Sequence, residues 1–231
     1  MVKAEETLAG IGILKHLPRR DLEALAGRCQ WRRYGPGQQI VGHQDETNDV
    51  FFIIEGKVRV TIYSLSGQTV TFRDIGAGEL FGELAAIDGK PRAADVFTLT
   101  DSLIASMSPD IFLDLLRNDP EVSASIHRQL AGLVRSLTER VFEFSTLTVK
   151  NRIHAELLRL ARDHMEGENT AVISPVPTHA EFASRVSTHR EAVTRELNAL
   201  ERAGLIERHG GTLIIPDFAR LARTVEEVLG E

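Results

Sequence analysis

Apolar and polar positions follow two different periods along the chain, and the change falls near residue 108. From Trp31 to Met107 the apolar residues come in short runs, at 50–54 (VFFII), 58–63 (VRVTIY), 69–75 (TVTFRDI), 94–99 (ADVFTL) and 103–107 (LIASM). Gly35-Pro36-Gly37, Glu55-Gly56, Ser66-Gly67 and Gly76-Ala77-Gly78 separate them. Short strands at regular spacing with turn residues between them predict an antiparallel sandwich or barrel. Ser64-Leu65-Ser66-Gly67 lies between two alternating runs and reads as a hairpin loop.

From Pro109 onward the period is helical. Ser108 is placed to cap a short helix with Pro109 at its first position. Asn118-Asp119-Pro120-Glu121 opens a longer one. Along it Ile126, Leu130, Leu133, Leu137 and Phe144 repeat with 4-3-4-7 spacing, Val134 and Val141 flank them, and Arg140 takes one apolar position. Such a stripe can simply face its own domain. Its length, about 25 residues interrupted only by Gly132, favours a coiled-coil seam between two copies, built from Ile126, Leu130, Leu133, Leu137, Val141 and Phe144. After a hinge at 145–148 come a helix from Val149 to His164, a break at 166–169, helices at 178–185 and 189–203, and a β-like ending. The tail 217–231 reads as a helix without an assigned purpose. The fold class is therefore α+β, with a mostly β domain at 1–118, a dimerisation helix and hinge at 119–147, and a third segment at 148–231.

With 231 residues the chain is one large domain or two small ones. The excess of 33 Asp+Glu over 27 Lys+Arg argues against nucleic acid as a partner. Local clustering overrides that total, because Arg185, Arg190, Arg195, Arg202 and Arg208 fall within 24 residues. No apolar run reaches the roughly 18 residues of a membrane span, and the N-terminus is too polar for a secretory signal. A single cysteine, Cys29, rules out an intrachain disulfide, a Cys-based zinc cage and a multi-Cys iron–sulfur set. The histidines (His43, His127 and His154 among them) show no ligand spacing, so neither haem nor another metal is expected. The expectation is a cytoplasmic protein with no membrane partner and no metal.

Residues 178–197, THAEFASRVSTHREAVTREL, fit a helix-turn-helix. Phe182, Val186, Val193 and Leu197 would knit its helices, Ser187-Thr188 would turn, and Thr188 or His189 would cap the second helix. Thr178, His189, Arg190, Glu191, Thr194 and Arg195 form the candidate DNA-facing set. The four from Arg190 to Arg195 share the N-terminal face of a recognition helix. Arg forks onto guanine O6/N7 and Glu accepts from cytosine N4. The plainer alternative is that Glu191 and Arg195 form an ordinary surface pair. The sequel 205–215, LIERHGGTLII, gives two strands around a glycine turn, which is a wing.

The densest motif is GELFGELAAIDGKPRAADV at 78–96. Gly82 lets an anion approach backbone N–H, Glu83 offers a carboxylate to a ribose hydroxyl, and Arg92 offers a fork of donors to a phosphate. Ala93 and Ala94 leave room, so the loop suits a sugar phosphate unless Glu83 and Arg92 merely pair with each other.

This segment resembles the phosphate-binding cassette of cyclic-nucleotide-binding domains, and FGELAAIDGKPRAA is especially similar to that of the protein-kinase regulatory subunits. From about residue 10 to 216 the chain resembles the cyclic-AMP receptor protein branch of the bacterial transcription-factor superfamily that includes the fumarate–nitrate regulators. The resemblance implies a jelly-roll β-roll that binds a cyclic nucleotide, a long dimerisation helix and a winged helix-turn-helix. It implies that Gly82 and Leu84 present backbone to the ligand, that Glu83 takes the ribose 2′-hydroxyl, and that Arg92 holds the cyclic phosphate. Ala93, where the family often has Ser, would contribute its backbone N–H alone. Ile40, Val60 and Ile75 would wall the pocket.

Leu137 and Thr138 match two adjacent polar helix residues that reach the purine across the family's dimer. Thr138 fits and Leu137 departs, which leaves cAMP and cGMP both open as the allosteric ligand. Asp95 also departs from the pattern, and strand alternation points it outward. The resemblance further implies a homodimer on a TGTGA-like palindrome, with half-sites about 34 Å apart. Arg190 and Arg195 would meet guanines and Glu191 a cytosine, and RNA polymerase would be a partner. The alternative is a constitutive or other-effector regulator with a degenerate pocket. An enzyme is not expected, because no Ser-His-Asp set, P-loop or metal signature is present.

Overall fold

The computed structural model describes residues 8–64 and 69–229, and the chain forms two compact units, Met1–Val134 and Arg135–Glu231. In the first unit, helix α1 (Arg19–Ala26) precedes β1 (Gln30–Tyr34), β2 (Gln39–Val41), β3 (Val50–Glu55), β4 (Lys57–Tyr63), β5 (Thr69–Gly76) and β6 (Leu80–Phe81). Helix α2 (Glu83–Asp88), β7 (Asp95–Thr98), β8 (Ser102–Met107) and α3 (Pro109–Asn118) follow, and then the long helix α4 (Pro120–Thr146). The strands make two antiparallel four-stranded sheets, ordered β1-β8-β3-β6 and β2-β7-β4-β5. The predicted loop Ser64–Gly67 falls mostly outside the described residues, while the strands flanking it pair Tyr63 with Thr69.

Two cores explain the strand sequences. Between the sheets lie Val41, Ile53, Val58, Ile75, Phe81, Val96 and Ile104. The other face of the first sheet, with Val50, Phe52, Ala105 and Met107, packs under Leu14, Leu22, Phe112, Val122 and Ile126 from the helices. Strand β3 is therefore apolar on both faces, which is why VFFII reads as a continuous run rather than an alternation. β1 and β2 escape a pattern-based reading: QWRRY and QIV are polar or short, and they form as strands through pairing with β8 and β7.

The start of the long helix does not serve the predicted seam. Ile126 is 2% exposed and Leu130 packs on the same core, so the first turns of the stripe cover the domain's own helices and sheet. Farther along, Val134, Leu137, Val141, Phe142 and Phe144 are exposed, while Leu133 is half-buried. Asp119 caps this helix by accepting from the backbone N–H of Glu121 at 2.9 Å and of Val122 at 3.0 Å. Ser108 precedes α3 as expected, but its side chain makes no capping bond.

The second unit holds α5 (Val149–Arg162), β9 (Met165–Glu166), β10 (Thr170–Ile173), α6 (His179–Arg185), α7 (Arg190–Arg202), β11 (Glu207–His209), β12 (Thr212–Ile215) and α8 (Phe218–Leu229). Its antiparallel sheet runs β11-β12-β10-β9. The tail helix α8 now has a purpose. Its Leu221 and Val225 complete the core beside Leu157, Leu197 and Ile215, and Asn169 fixes its start by accepting from Ala219 N–H at 2.7 Å. Among the described residues no helix is long and apolar enough to cross a membrane.

Candidate functional site

The cassette is built around one left-handed glycine. After β6, Gly82 has φ +87°, and the chain turns straight into α2. A β-carbon there would lie 2.8 Å from Nη1 of Arg92, 2.9 Å from the Asp49 carbonyl and 3.2 Å from the Phe51 ring. Only glycine tolerates both the dihedral and the approach. Arg92, 2% exposed, donates from Nε to Thr47 Oγ1 at 3.1 Å, from Nη1 to the Gly82 carbonyl at 3.1 Å and from Nη2 to the Asp49 carbonyl at 2.8 Å. Its guanidinium also lies 5.4 Å over the Phe51 ring, which stacks on Phe81. A guanidinium has five N–H donors, so each Nη retains one for a ligand.

Glu83 is 4% exposed, and among the described residues it forms no ion pair with Arg92. The mutual-pairing alternative is not what the structure adopts. Burial pushes the Glu83 carboxyl above its ordinary value, against the pull of its own backbone N–H, Arg73 and Arg92. Burial likewise lowers the Arg92 guanidinium, and Asp49, Asp45 and Glu83 pull it back up. A buried carboxyl and a buried guanidinium, each short of partners, suit a ligand that brings a hydroxyl donor and an anion.

Ile75 is buried, and Ile40 and Val60 pack half-buried against the same inner core. Leu84 and Ala93 are exposed on the cassette surface. Leu137 and Thr138 lie exposed on α4. Asp95 is not turned outward: it is 8% exposed and its Oδ1 accepts from Gln39 Nε2 at 3.0 Å and from His43 N–H at 2.9 Å. The reason is the loop between β2 and β3, which folds back and brings a backbone donor that needs an acceptor. The same loop exchanges backbone bonds with Arg92, Gln44 N to Arg92 O and Arg92 N to Asp45 O.

Sequence reasoning missed this loop, although it supplies Thr47 and Asp49 to Arg92. Its signal was the polar stretch HQDETND between two strands. It also missed Arg73, a charge at an inward strand position.

In the second unit Thr178 and Glu181 form a capping box at the start of α6. Thr188 N–H and Val186 N–H both donate to the Ala183 carbonyl, Ser187 adopts φ +49°, and the chain enters α7 with His189 as an N-cap lacking a side-chain bond. Phe182, Val186, Val193 and Leu197 are buried together. Arg190, Glu191 and Arg195 are exposed, and among the described residues no ion pair joins Glu191 to Arg195. Thr194 is half-buried with its hydroxyl already engaged, donating to the Arg190 carbonyl at 3.0 Å and lying 2.7 Å from His179 Nδ1. Burial, then Arg208 and Arg190, lower the His179 pKa, which favours the neutral ring.

Of the five clustered arginines, Arg185 faces Glu156 at 3.5 Å and Arg208 binds Glu201 and Asn198. That second set ties the wing to the back of α7. Gly210 and Gly211, both at positive φ, turn the wing.

A family model for the cyclic nucleotide-binding domain matches residues 31–119, and one for the Crp-like helix-turn-helix domain matches residues 151–224. The cyclic AMP receptor protein of Thermus thermophilus is 29% identical over 217 residues, covering 93% of this chain and 96% of the relative. A CRP-like cAMP-activated global transcriptional regulator of Mycobacterium tuberculosis is 27% identical over 220 residues, covering 95% and 98%. Among solved structures, a transcriptional regulator of the CRP/FNR family from Thermus thermophilus matches with a TM-score of 0.68 at 26% identity, covering 86% of this chain and 100% of that one. A nucleotide cassette followed by a winged helix-turn-helix, each matched by its own family model, places this chain in the CRP/FNR superfamily of transcription regulators, in its CRP-like cyclic-nucleotide-responsive branch, a family of DNA-binding proteins and not of enzymes.

Proposed function

We propose that this chain is a homodimeric, sequence-specific transcription regulator whose DNA affinity is switched by a 3′,5′-cyclic nucleotide bound at Glu83 and Arg92. The observation that carries the reading is the pair of unspent Arg92 N–H groups together with a buried Glu83 carboxyl that forms no ion pair among the described residues. The cyclic phosphate takes the guanidinium and the ribose 2′-hydroxyl donates to the carboxylate. The exposed apolar side chains Val134, Leu137, Val141 and Phe144 on α4 form the seam with a second copy. Two copies then present Arg190, Glu191 and Arg195 to successive major grooves about 34 Å apart, on a TGTGA-like palindrome. The regulator works in the cytoplasm, with RNA polymerase as its partner.

Ligand shifts the DNA-binding equilibrium only by its differential affinity for the two states. The test therefore measures both events. Nucleotide-stripped full-length protein is titrated with cAMP and cGMP by calorimetry, and its affinity for a palindromic duplex is measured with and without each. Micromolar binding lost in Arg92→Ala, together with tighter DNA binding when ligand is present, is the expected result. No heat from either nucleotide with undiminished DNA affinity would instead make the protein a constitutive regulator or one tuned to another effector.

A further inference from the structure

The nucleotide pocket contains a second guanidinium that the cassette motif does not include. Arg73 on β5 lies directly across from Val60 on β4, two residues before the neighbouring pair Ile75 and Val58. Ile75 and Val58 are fully buried between the two sheets and Val60 packs on the same cluster, so strand periodicity puts Arg73 on that inner face. The opposite face of these strands carries Arg59 and Asp74, which satisfy each other through bonds of 2.8 and 3.0 Å. Arg73 has no such partner: among the described residues it makes no hydrogen bond or ion pair, and its charge acts on Glu83. Just past the Val60–Arg73 pair the ladder slips by one residue. A bulge of this kind re-aims a side chain and recurs beside binding sites.

The two guanidiniums stand on different elements. Arg92 is anchored in the cassette by Thr47, Gly82 and Asp49, whereas Arg73 stands on β5 beside the wall residues Val60 and Ile75, and both charges reach Glu83. A 3′,5′-cyclic nucleotide carries its ribose between phosphate and base. If Arg92 holds the phosphate and Glu83 the ribose, Arg73 meets the base. Its side chain offers donors only, in a planar fork. The Hoogsteen edge of guanine presents two acceptors, O6 and N7, while adenine presents N7 beside an N6 amino donor.

We infer that Arg73 reads the purine through O6 and N7, and that the regulator's effector is cyclic GMP rather than cyclic AMP. The inference rests on the proposed nucleotide reading of the pocket and names the base for that site. Against adenine the fork meets one acceptor and one opposing donor, so a preference for cGMP of about 10-fold or more follows.

The test is a calorimetric titration of full-length protein with cAMP, cGMP and inosine 3′,5′-cyclic monophosphate, which keeps O6 and N7 but lacks the 2-amino group. Wild-type protein should bind cGMP and the inosine nucleotide alike, each more tightly than cAMP. Arg73→Lys, which keeps the charge and loses the fork, should bring the three affinities together by weakening the first two. Arg73→Met should likewise bring the three affinities together.

Equal or tighter binding of cAMP to wild-type protein would overturn the assignment, as would an inosine nucleotide that binds like cAMP. A cGMP preference that survives in Arg73→Lys would leave Arg73 as a counter-charge for Glu83 and refute its reading of the base. Failure of the pocket reading looks different, because then none of the three nucleotides binds wild-type protein and both claims fall together.

Discussion

The Gly82 carbonyl accepts from Nη1 of Arg92 at 3.1 Å, and that same nitrogen occupies the space where a Gly82 side chain would begin. The turn and the phosphate-binding side chain are thus one unit, with the glycine's missing β-carbon acting as part of the site. Gly82→Ala should cost about 1–3 kcal/mol of stability, from the strained dihedral and the contact with the Asp49 carbonyl. It should also displace Arg92 and lower nucleotide affinity. Denaturant unfolding reads the first effect and calorimetry the second. A variant with wild-type stability and affinity would show that the turn relaxes freely.

Arg195 and Thr194 are adjacent on α7 but face different tasks. Arg195 is exposed, whereas the Thr194 hydroxyl is held between His179 and the Arg190 carbonyl. Arg195→Ala should therefore cost about 1–3 kcal/mol at one base pair and relax preference there. Thr194→Val should act mainly on the packing of α6 against α7, leaving the preferred sequence unchanged. Selection from a randomised palindrome separates the two. The same motif recovered by Arg195→Ala protein would remove that residue from base reading.

The parts of the fold that were legible were those fixed by local chemistry. Glycine breaks and apolar runs placed β3, β4, β5, β7 and β8, and the wing followed from Gly210-Gly211 between two short apolar stretches. β1 and β2 were hidden because their stability comes from partner strands far along the chain. Asp95 defied alternation for a similar reason, since its acceptor role is set by the backbone of His43 from another loop. Arg73 is visible as a charge in an apolar run, yet its effect on Glu83 arises only once the cassette after β6 of the other sheet folds against it. The heptad stripe was real as a pattern. Which turns meet the domain's own core and which stay exposed depends on where Phe112 and Val122 pack.

Cys29 is half-buried against the core between the first sheet and the helices, and burial pushes its thiol up to about 11, with Arg28 pulling less strongly the other way. Against the unperturbed value of 9.0, that leaves about a hundredfold less thiolate at pH 8. Native protein should react with a disulfide reagent about a hundredfold more slowly than urea-unfolded protein. The raised pKa stabilises the fold in full below pH 9.0, and that contribution is lost as the pH rises from there through about 11. Equal rates in native and unfolded protein would contradict the burial.

Arg140 breaks the apolar stripe because it is turned inward to Glu156, 3.4 Å away, where it also donates to the Arg185 carbonyl. Glu156 is 1% exposed and additionally bonds Arg159 and faces Arg185 at 3.5 Å. Arg159 in turn reaches Glu143 at 2.6 Å, so two acidic groups hold three guanidiniums between α4, α5 and α6. Burial lowers the Arg140 guanidinium, and Glu156 is the largest influence restoring it. Removing Glu156 leaves three clustered cations with too few acceptors. Glu156→Gln should therefore cost about 3–5 kcal/mol. Arg140→Met should cost less, because Arg159 and Arg185 still satisfy the carboxylate. Unfolding of the two single variants and the double variant measures the coupling directly. A Glu156→Gln protein as stable as Arg140→Met would mean that the cluster's charges are solvated by water rather than by one another.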